Sequence, residues 1–250
     1  MTQLEGKIAL VTGAAGGFGE GIARLFVAQG ARVMIADLDG AKASQVAAEL
    51  GPSARSVACD VSKSADVQAA VQACVDAFGV PDIVVNNAGT THRNQPMLDV
   101  DEATFDRVFN VNVKSIFHMT RAVLPLMRER GQGSIINVGS TAGIRPRPGL
   151  TWYNASKGAV NVMTKSMAAE LGPDNIRVNA ICPVMGATGL IEQFLGAADT
   201  PESRAKVVAG IPLGRLSTPD DVAQAALYLA SDASCFITGV ELPVDGGRTI

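Results

Sequence analysis

The sequence predicts an α/β fold, a single doubly wound parallel sheet of about seven strands with helices on both faces. Two observations support this prediction. Short runs rich in β-branched residues alternate with longer, alanine-rich stretches of helical pattern along the chain. The strand-like runs are also apolar almost throughout, which is typical of strands covered by helices on both faces. Right-handed crossovers then place helices on both sides of one sheet.

The elements follow in chain order. The predicted strands are nearly continuous apolar runs, and they span Lys7–Val11, Arg32–Ala36, Ser56–Cys59, Ile83–Asn86, Ser134–Val138, Arg177–Ile181 and Gly239–Val244. The predicted helices fill the stretches between them, at Phe18–Gln29, Ala41–Leu50, Val67–Phe78, Phe105–Arg130, Thr151–Leu171 and Asp220–Ala230. No linker rich in proline, glycine or serine divides the chain, so we expect residues 1–250 to form one domain.

Composition and charge exclude several classes of protein. Of 250 residues, 47% are hydrophobic and 18% are charged, a balance typical of globular proteins rather than disordered ones. The net charge is -3 and there is no cluster of basic residues, so we expect no nucleic-acid partner and no anionic membrane surface. No apolar run approaches the ~18 residues of a membrane span, and the beginning of the chain lacks a signal-peptide pattern. We expect a cytoplasmic protein.

The cysteines and histidines do not form a metal-binding pattern. The four cysteines are scattered, without a CxxC pair and without a histidine near them in the sequence: Cys59, Cys74, Cys182 and Cys235. This spacing predicts neither a disulfide framework nor a metal site. We expect small buried side chains in a reducing compartment.

A glycine-rich turn follows the first predicted strand. Its spacing is T-G-x-x-x-G-x-G, through Gly13, Gly17 and Gly19, with Phe18 at the start of the next helix. Glycine allows a tight turn and a close approach of the backbone to a pyrophosphate, and the helix start offers unpaired N–H groups. The turn therefore predicts a dinucleotide site, although glycines at such turns can also serve geometry alone.

Asp37 ends the second predicted strand, about 20 residues beyond the glycine turn. A carboxylate there suits hydrogen bonds to both ribose hydroxyls of adenosine and repels a 2′-phosphate. Leu38 and a second acid, Asp39, follow, and no arginine occurs before Arg55. The sequence therefore favours NAD as the cofactor. The alternative is that Asp37 is a helix N-cap or turn residue.

Tyr153, Lys157 and Ser140 form the candidate catalytic group. Tyr153 and Lys157 are four residues apart on a predicted helix, so both side chains lie on one helix face. We expect the cation to lower the pKa of the phenol towards working pH. Ser140 ends a predicted strand at the edge where such sheets bind ligands, and its hydroxyl can bond a reacting oxygen. With the glycine turn, this pattern predicts hydride transfer; alone, Tyr153 and Lys157 would suit an ordinary amphipathic helix.

These motifs resemble the short-chain dehydrogenase/reductase family, whose fold is of Rossmann type. The resemblance extends from Lys7 to Gly247 and includes Asn86-Asn87-Ala88-Gly89, Asn112, the Ser140 and Tyr153-x-x-x-Lys157 motifs, and the stretch from Ile237 to Gly247. It implies that Lys157 also holds the nicotinamide ribose, and that Asn112 orders a water leading to Lys157. It further implies a homotetramer packed through the helices at Phe105–Arg130 and Thr151–Leu171.

The resemblance also implies further cofactor contacts. They are Asp60 and Val61 at the adenine, Asn87, Ala88 and Gly89 after the fourth strand, and Pro183 and Thr188, the latter at the carboxamide. The alternatives are a plain strand-end turn at Asp60 and backbone hydrogen bonding by Asn87 and Asn112. The chain departs from the family at Phe18, where isoleucine is usual, at Gly139, where a second serine is common, and at Val184, where the family has glycine.

Two further regions are expected to border the substrate. The stretch at about 189–215 matches the family's substrate-covering segment, the alternative being an irregular surface excursion. Around the mouth, the sequence predicts substrate contacts at His92, Arg93, Arg145, Arg147 and Met185. The arginines and histidine could bind an acidic group. They could equally be solvated, or pair with acids of a neighbouring subunit.

The expected function is interconversion of a secondary alcohol and a ketone with NAD(H). The substrate would be a sugar, a polyol, a hydroxy acid or another small alcohol. One alternative is a 3-oxoacyl-carrier-protein reductase, which would normally use NADPH and a basic docking patch. A second is a non-catalytic dinucleotide-binding sensor or scaffold, which a broken tetrad would favour; Asn112, Ser140, Tyr153 and Lys157 are all present.

Overall fold

A computed structural model describes residues 2–186 and 189–250, and its centre is a parallel sheet of seven strands. The strands are β1 (Ile8–Thr12), β2 (Arg32–Asp37), β3 (Ala54–Ala58), β4 (Ile83–Asn86), β5 (Gly133–Val138), β6 (Ile176–Pro183) and β7 (Glu241–Val244). Their order in the sheet is β3-β2-β1-β4-β5-β6-β7. The predicted fold class is confirmed.

Nine helices connect or follow the strands in the described part of the chain. They are α1 (Gly17–Ala28), α2 (Gly40–Leu50), α3 (Ser64–Phe78), α4 (Glu102–Phe109), α5 (Ser115–Arg130), α6 (Thr151–Leu171), α7 (Ile191–Leu195), α8 (Pro201–Val208) and α9 (Pro219–Ala230). Side-chain caps begin several of them. Asp39 caps α2, Asp101 caps α4, and Thr218 forms a capping box with Asp221 at α9.

The sheet is buried on both faces, which explains its apolar strands. Along β1, Ala9 and Val11 pack on the side of α1, α2 and α9, while Ile8 and Leu10 pack on the side of α3, α5 and α6. Each large aliphatic side chain buried in this way stabilises the fold by about 1.5–3 kcal/mol. The β1 strand is therefore a central strand between two hydrophobic cores.

The long helix predicted over Phe105–Arg130 is two helices separated by a π-helical turn, Asn110–Lys114. The extra residue of a π turn rotates one side chain away from its α-helical position. Here it accompanies the burial of Asn112, whose amide bonds to Ser156 on α6. The predicted helical stretch is confirmed, and the π-helical turn inside it is the feature that the sequence did not predict. Strand β7 also starts at Glu241 rather than Gly239, which has φ +76°.

The carboxyl ends of the central strands meet at one edge of the sheet. The order of the strands reverses between β1 and β4, and doubly wound sheets bind ligands in the crevice at such a point. No helix within residues 2–186 and 189–250 is long and apolar enough to cross a membrane. The same residues contain no group of three or more His, Cys, Asp or Glu side chains able to hold a metal ion.

Candidate active site

A cavity of about 680 Å³ opens at the carboxyl edge of the sheet. The glycine turn, the ends of β2, β4, β5 and β6, the start of α6, and α7 surround it. Its walls include most residues singled out from the sequence, namely Gly13, Gly17, Phe18, Asp37, Leu38, Asp60, Val61, Asn87, Ala88, Gly89, Ser140, Arg145, Arg147, Tyr153, Lys157, Pro183 and Met185. Thr188 lies outside the described residues.

The glycine turn needs its glycines for two reasons. Gly13 and Gly17 have positive φ values of 63° and 57°, a conformation that other residues rarely adopt. Gly19 does not line the cavity, but a Cβ there would overlap the Gly13 carbonyl oxygen and the Asn87 amide. Gly19 therefore permits the close packing of the helix start on the turn.

Asn87 and Thr12 hold the glycine turn against β4. The Asn87 amide donates to the carbonyl oxygens of Thr12 and Gly13, both at 2.9 Å. The Thr12 hydroxyl accepts from the N–H groups of Asn87 and Ala88 at 3.1 Å, and donates to the Val85 carbonyl at 3.3 Å. Thr12 was missed at the sequence level, although its place directly before Gly13 in the T-G-x-x-x-G-x-G pattern was a usable signal.

The carboxylate of Asp37 is fixed in the cavity wall by two backbone groups. It accepts from the N–H groups of Ala15 at 2.9 Å and of Asp39 at 3.0 Å. The N-cap of α2 is Asp39, which accepts from the Lys42 N–H at 3.0 Å, so the alternative reading of Asp37 as a helix cap was wrong. Lys42 is a further cavity residue that the sequence reasoning missed, and its ammonium lies beside Gly16.

Asp60 is held in place in a similar way at the end of β3. Its carboxylate accepts from the Ser62 hydroxyl at 2.6 Å and from the Ser62 N–H at 3.0 Å. The Ser62 hydroxyl is the main reason that the pKa of Asp60 is lowered. Asp60 is therefore a charged, oriented group beside Val61 in the cavity wall.

Ser140, Tyr153 and Lys157 come together where β5 ends against the first turns of α6. The Ser140 hydroxyl oxygen accepts from the Ala142 N–H at 3.0 Å, and the Ser140 side chain acts to lower the pKa of the Tyr153 phenol. The Lys157 ammonium donates to the Val138 carbonyl at 2.7 Å and lies 6.0 Å from the centroid of the Tyr153 ring. All three side chains are buried and line the cavity.

Burial dominates the electrostatics of this group. It raises the pKa of Tyr153 to about 12, against the opposing effects of the Ser140 side chain and the Arg147 charge. It also lowers the pKa of Lys157 to about 8. The expected lowering of the tyrosine pKa was therefore wrong, because desolvation of a phenolate outweighs the nearby charge. At neutral pH Tyr153 is a protonated phenol and can donate its proton.

Asn112 stands behind the cavity rather than in its wall. Its amide oxygen accepts from the Thr90 N–H at 2.8 Å, and its amide nitrogen donates to the Thr90 carbonyl and the Ser156 hydroxyl, both at 2.9 Å. A Cβ at Gly89 would lie 3.5 Å from both the Asn112 amide oxygen and the Lys157 ammonium. Gly89 thus leaves a space of about methyl size beside both polar groups.

Of the two loops predicted to lie at the rim of the cavity, only one places its predicted residues in the cavity wall. Arg145 and Arg147 line the cavity, as expected, but His92 and Arg93 do not. His92 is buried with its Nδ1 2.8 Å from the Arg93 carbonyl oxygen, and the Arg93 guanidinium donates to the Gly196 carbonyl at 2.8 Å. The placement of these two residues at the substrate was wrong, because the loop turns towards α7 instead of the cavity.

The segment after β6 covers the cavity. Its residues Gly189, Leu190, Phe194 and Val207 are in the wall, and the Phe194 ring packs on the Tyr153 ring. Asn94 docks α7, because its N–H donates to the Gln193 carbonyl at 2.8 Å and its amide to the Phe194 carbonyl at 3.4 Å. Phe194 carried no local sequence signal, since only the fold brings it to Tyr153.

Comparisons with known proteins agree with this geometry. The family model described as enoyl-(acyl carrier protein) reductase matches residues 13–249. A 4-formylbenzenesulfonate dehydrogenase of Comamonas testosteroni is 49% identical over 99% of this chain and 100% of its own length. A 3-oxoacyl-[acyl-carrier-protein] reductase of Thermotoga maritima is 39% identical over 99% and 100% of the two chains.

A solved structure matches over nearly the whole chain. It is the 3-ketoacyl-(acyl-carrier-protein) reductase from Brucella melitensis complexed with NADH, with a TM-score of 0.94 and 49% identity. The match covers 99% of this chain and 100% of that one. The TM-score shows that this solved relative has the same fold. This chain therefore belongs to the short-chain dehydrogenase/reductase family and is an oxidoreductase that acts on CH–OH groups.

Proposed function

We propose that this protein is an NAD(H)-dependent dehydrogenase that interconverts a secondary alcohol and a ketone on a small molecule, such as a sugar, a polyol or a hydroxy acid. The observation that carries the proposal is that Ser140, Tyr153 and Lys157 line one cavity together with the glycine turn, with the Lys157 ammonium 6.0 Å from the centroid of the Tyr153 ring. A proton donor and a dinucleotide-type turn in one cavity suit hydride transfer coupled to proton transfer.

The cavity fits a nicotinamide dinucleotide. Gly13 and Gly17 give the close backbone approach that a pyrophosphate requires, and the Asp37 carboxylate keeps lone pairs for ribose hydroxyls. When bound, the cofactor supplies or accepts a hydride at the reacting carbon. Asp60 and Val61 would border the adenine, Asn87, Ala88 and Gly89 the middle of the cofactor, and Pro183 and Thr188 its carboxamide.

NAD is preferred over NADP because of Asp37. Its fixed negative charge opposes a 2′-phosphate, and the solved relative from Brucella melitensis was complexed with NADH. Lys42 works in the other direction, since its ammonium beside Gly16 could attract a phosphate. The Asp37 carboxylate is fixed by hydrogen bonds from the backbone N–H groups of Ala15 and Asp39. We therefore expect its charge to outweigh that of Lys42 in the choice between NAD and NADP.

In the reduction direction, Tyr153 donates its proton to the carbonyl oxygen of the substrate. Its raised pKa keeps the phenol protonated at neutral pH, and Ser140 orients the same oxygen through its hydroxyl. The nearby Lys157 ammonium stabilises the phenolate that forms. Asn112 positions the Thr90 backbone, and its amide oxygen and the Lys157 ammonium lie on the same side of Gly89.

A second candidate is a 3-oxoacyl-carrier-protein reductase. Two relatives carry names of this kind, and one of them was complexed with NADH, so NAD use does not argue against this alternative. The family's dehydrogenases of small molecules, such as the 4-formylbenzenesulfonate dehydrogenase, support the first proposal at equal or greater identity. The non-catalytic alternative is disfavoured because the catalytic side chains are all in contact with the cavity or its wall.

One assay separates these candidates. The purified protein is mixed with NAD or NADP and a panel of small secondary alcohols, and in reverse with NADH and the matching ketones or acetoacetyl-CoA, while NADH absorbance is followed. We expect turnover of small alcohols with NAD. Turnover restricted to acetoacetyl-CoA would favour the reductase, and no turnover despite tight NADH binding would favour the sensor.

Assembly and location stay predictions. We expect a homotetramer packed through α5 and α6, and the exposed apolar side chains Phe117 on α5 and Val162 on α6 support this expectation. Light scattering of the purified protein would test it. We also propose a cytoplasmic location.

A further inference from the structure

Two arginines from distant parts of the chain line one wall of the cavity. Arg147 comes from the loop after β5, and Arg248 comes from the segment that follows β7. Both are partly buried. Neither guanidinium forms an ion pair or a hydrogen bond with any acidic side chain in residues 2–186 and 189–250. Arg248 carried no signal in the sequence analysis.

The position of Arg248 is maintained by specific contacts. The Asp245 carboxylate accepts from the N–H groups of Gly247 at 2.9 Å and Thr249 at 2.8 Å, and from the Thr249 hydroxyl at 2.7 Å. The Arg145 guanidinium then donates to the Arg248 carbonyl at 2.8 Å. Arg145 is thus occupied with the backbone, and its role is to hold the segment that presents Arg248.

The two guanidinium groups are close enough to influence each other and the catalytic group. Burial and the charge of Arg248 both lower the pKa of Arg147, and the charge of Arg147 acts on the pKa of Tyr153. Two partly desolvated like charges without an acid destabilise the fold unless an anion neutralises them. Four hydrogen bonds from the side chains of Asp245 and Arg145 hold this arrangement, which therefore points to a ligand.

The cavity wall also contains large apolar side chains. Phe194, Leu150, Met185 and Val207 all border the cavity. A molecule that fills this part of the site would have an apolar body and one anionic end. Arg147 and Tyr153 line the same cavity, so one bound molecule would reach both its anionic contact and the catalytic phenol.

We infer that Arg147 and Arg248 bind a carboxylate or sulfonate group on the substrate and so select small anionic alcohols and carbonyl compounds. Planar guanidinium groups bond oxyanions in pairs of hydrogen bonds, which gives geometry as well as charge. This inference rests on the proposed function, and it names the substrate class of the same cavity. Both Arg145 and Arg147 were expected at the rim. In this proposal Arg147 binds the anionic group, and Arg145 supports the backbone of Arg248.

The test compares substrates that differ only in charge. 1-Phenylethanol, a secondary alcohol, is compared with its para-carboxylate and para-sulfonate, and sec-butanol with β-hydroxybutyrate, all with NAD. We expect kcat/KM to be about 10- to 100-fold higher for the anionic member of each pair. The advantage should shrink at high ionic strength, because salt screens the attraction.

Variants assign the effect to the two arginines. In Arg147→Met and Arg248→Met, the ratio of anionic to neutral kcat/KM should fall about 10-fold or more, while Arg147→Lys should keep part of it. The control is Arg55→Met on edge strand β3, an exposed arginine outside the cavity, which removes the same charge and should leave the ratio unchanged.

The inference and the proposed function can fail separately. Turnover with equal kcat/KM for neutral and anionic substrates, or an unchanged ratio in Arg147→Met, would overturn the anion site and leave the dehydrogenase proposal standing. If no alcohol or carbonyl compound is turned over, calorimetry with benzenesulfonate in the presence of NADH decides. Binding that weakens about 10-fold in Arg147→Met supports the anion site, and absence of binding refutes it.

Discussion

The ring of Phe194 meets the ring of Tyr153 edge-on, with centroids 5.0 Å apart and planes inclined by 72°. Aromatic pairs favour this geometry, and it adds about 0.5–1.5 kcal/mol beyond the area buried. The contact joins the segment that covers the cavity to the side chain that we propose exchanges the proton. Burial is also the main reason that the pKa of Tyr153 is raised to about 12. The covering segment thus contributes to the chemistry as well as to the shape of the site.

Removing the Phe194 ring should change the pH dependence of the reaction. In Phe194→Ala, water reaches the phenol, so we expect the pKa of Tyr153 to fall from about 12 towards its usual value of 10. The alkaline limit of ketone reduction should move to lower pH, and KM should rise. Phe194→Leu, which keeps an apolar cover, is the control. An identical pH profile for Phe194→Ala and wild type would contradict this role.

Replacing Tyr153 with phenylalanine should abolish turnover and leave NADH binding nearly intact. The ring still packs on Phe194, but the exchangeable proton is gone. The chain offers a matched control in Tyr228→Phe, since Tyr228 is its other tyrosine and lies on α9 with 41% of its surface exposed. Turnover and NADH fluorescence titration are measured for both. Substantial turnover by Tyr153→Phe would remove Tyr153 from the mechanism.

Replacing Asp37 with serine should shift cofactor choice towards NADP. The change removes the charge that repels a 2′-phosphate, and NAD should bind more weakly by about 1–3 kcal/mol. Asp39→Ser removes an equal charge but keeps a good N-cap for α2, so the NAD/NADP ratio should change less. Lys42→Gln should weaken any NADP binding that appears. Equal use of the two cofactors by the wild type would contradict the argument from Asp37.

Alanine at Gly19 should damage the cofactor site, and alanine at Gly158 should not. A methyl group at Gly19 overlaps the Gly13 carbonyl and the Asn87 amide, and overpacking of this kind costs about 1–3 kcal/mol. At Gly158, inside α6, the added methyl group has nothing within 4 Å and should stabilise the helix by about 0.5–1 kcal/mol. Urea unfolding and NADH titration measure both effects. Normal NADH affinity in Gly19→Ala would contradict the prediction, because the glycine turn would then accommodate the methyl group without loss of the cofactor site.

Lys157 should make stability depend on pH in the alkaline range. Its pKa is about 8 in the folded state and near 10.5 when unfolded, so between these values the unfolded chain holds more protons. The free energy of unfolding should therefore rise from pH 8 to pH 10.5, by on the order of 1–3 kcal/mol, relative to Lys157→Met. Tyr153 opposes this rise only at the upper end of the window, because its raised pKa lowers stability between pH 10 and about 12. If the difference in free energy of unfolding between the wild type and Lys157→Met does not change with pH, the lowered pKa of Lys157 is contradicted.

The fold followed from the sequence because its strands are buried on both faces. The apolar runs that mark β1, β4 and β5 have no solvent face to introduce polar residues, so they are visible as short continuous blocks. The π-helical turn at Asn110–Lys114 was not visible in the same way. One extra residue in a helix leaves the apolar pattern almost unchanged, while it turns Asn112 inward.

Much of the candidate site was predictable because parallel strands end at one edge. Ser140 and Asp37 follow different strands, and the topology alone brings them to the same cavity. Phe194 and Arg248 could not be predicted, since their positions depend on how irregular segments cross that edge. The raised pKa of Tyr153 was missed for the same reason, because its burial depends on the covering segment and not on its helical neighbour Lys157.

The docking of α7 on the rest of the protein has a consequence for how specificity can change. Arg93 and Asn94 hold α7 through the carbonyl oxygens of Gln193, Phe194 and Gly196 and not through its side chains. Side chains at positions such as Leu190 and Phe194 can therefore be exchanged while the hydrogen bonds that dock the helix remain. Natural variation, or a library of variants at these positions, can therefore change the shape of the substrate cavity while the hydrogen bonds that dock α7 stay the same.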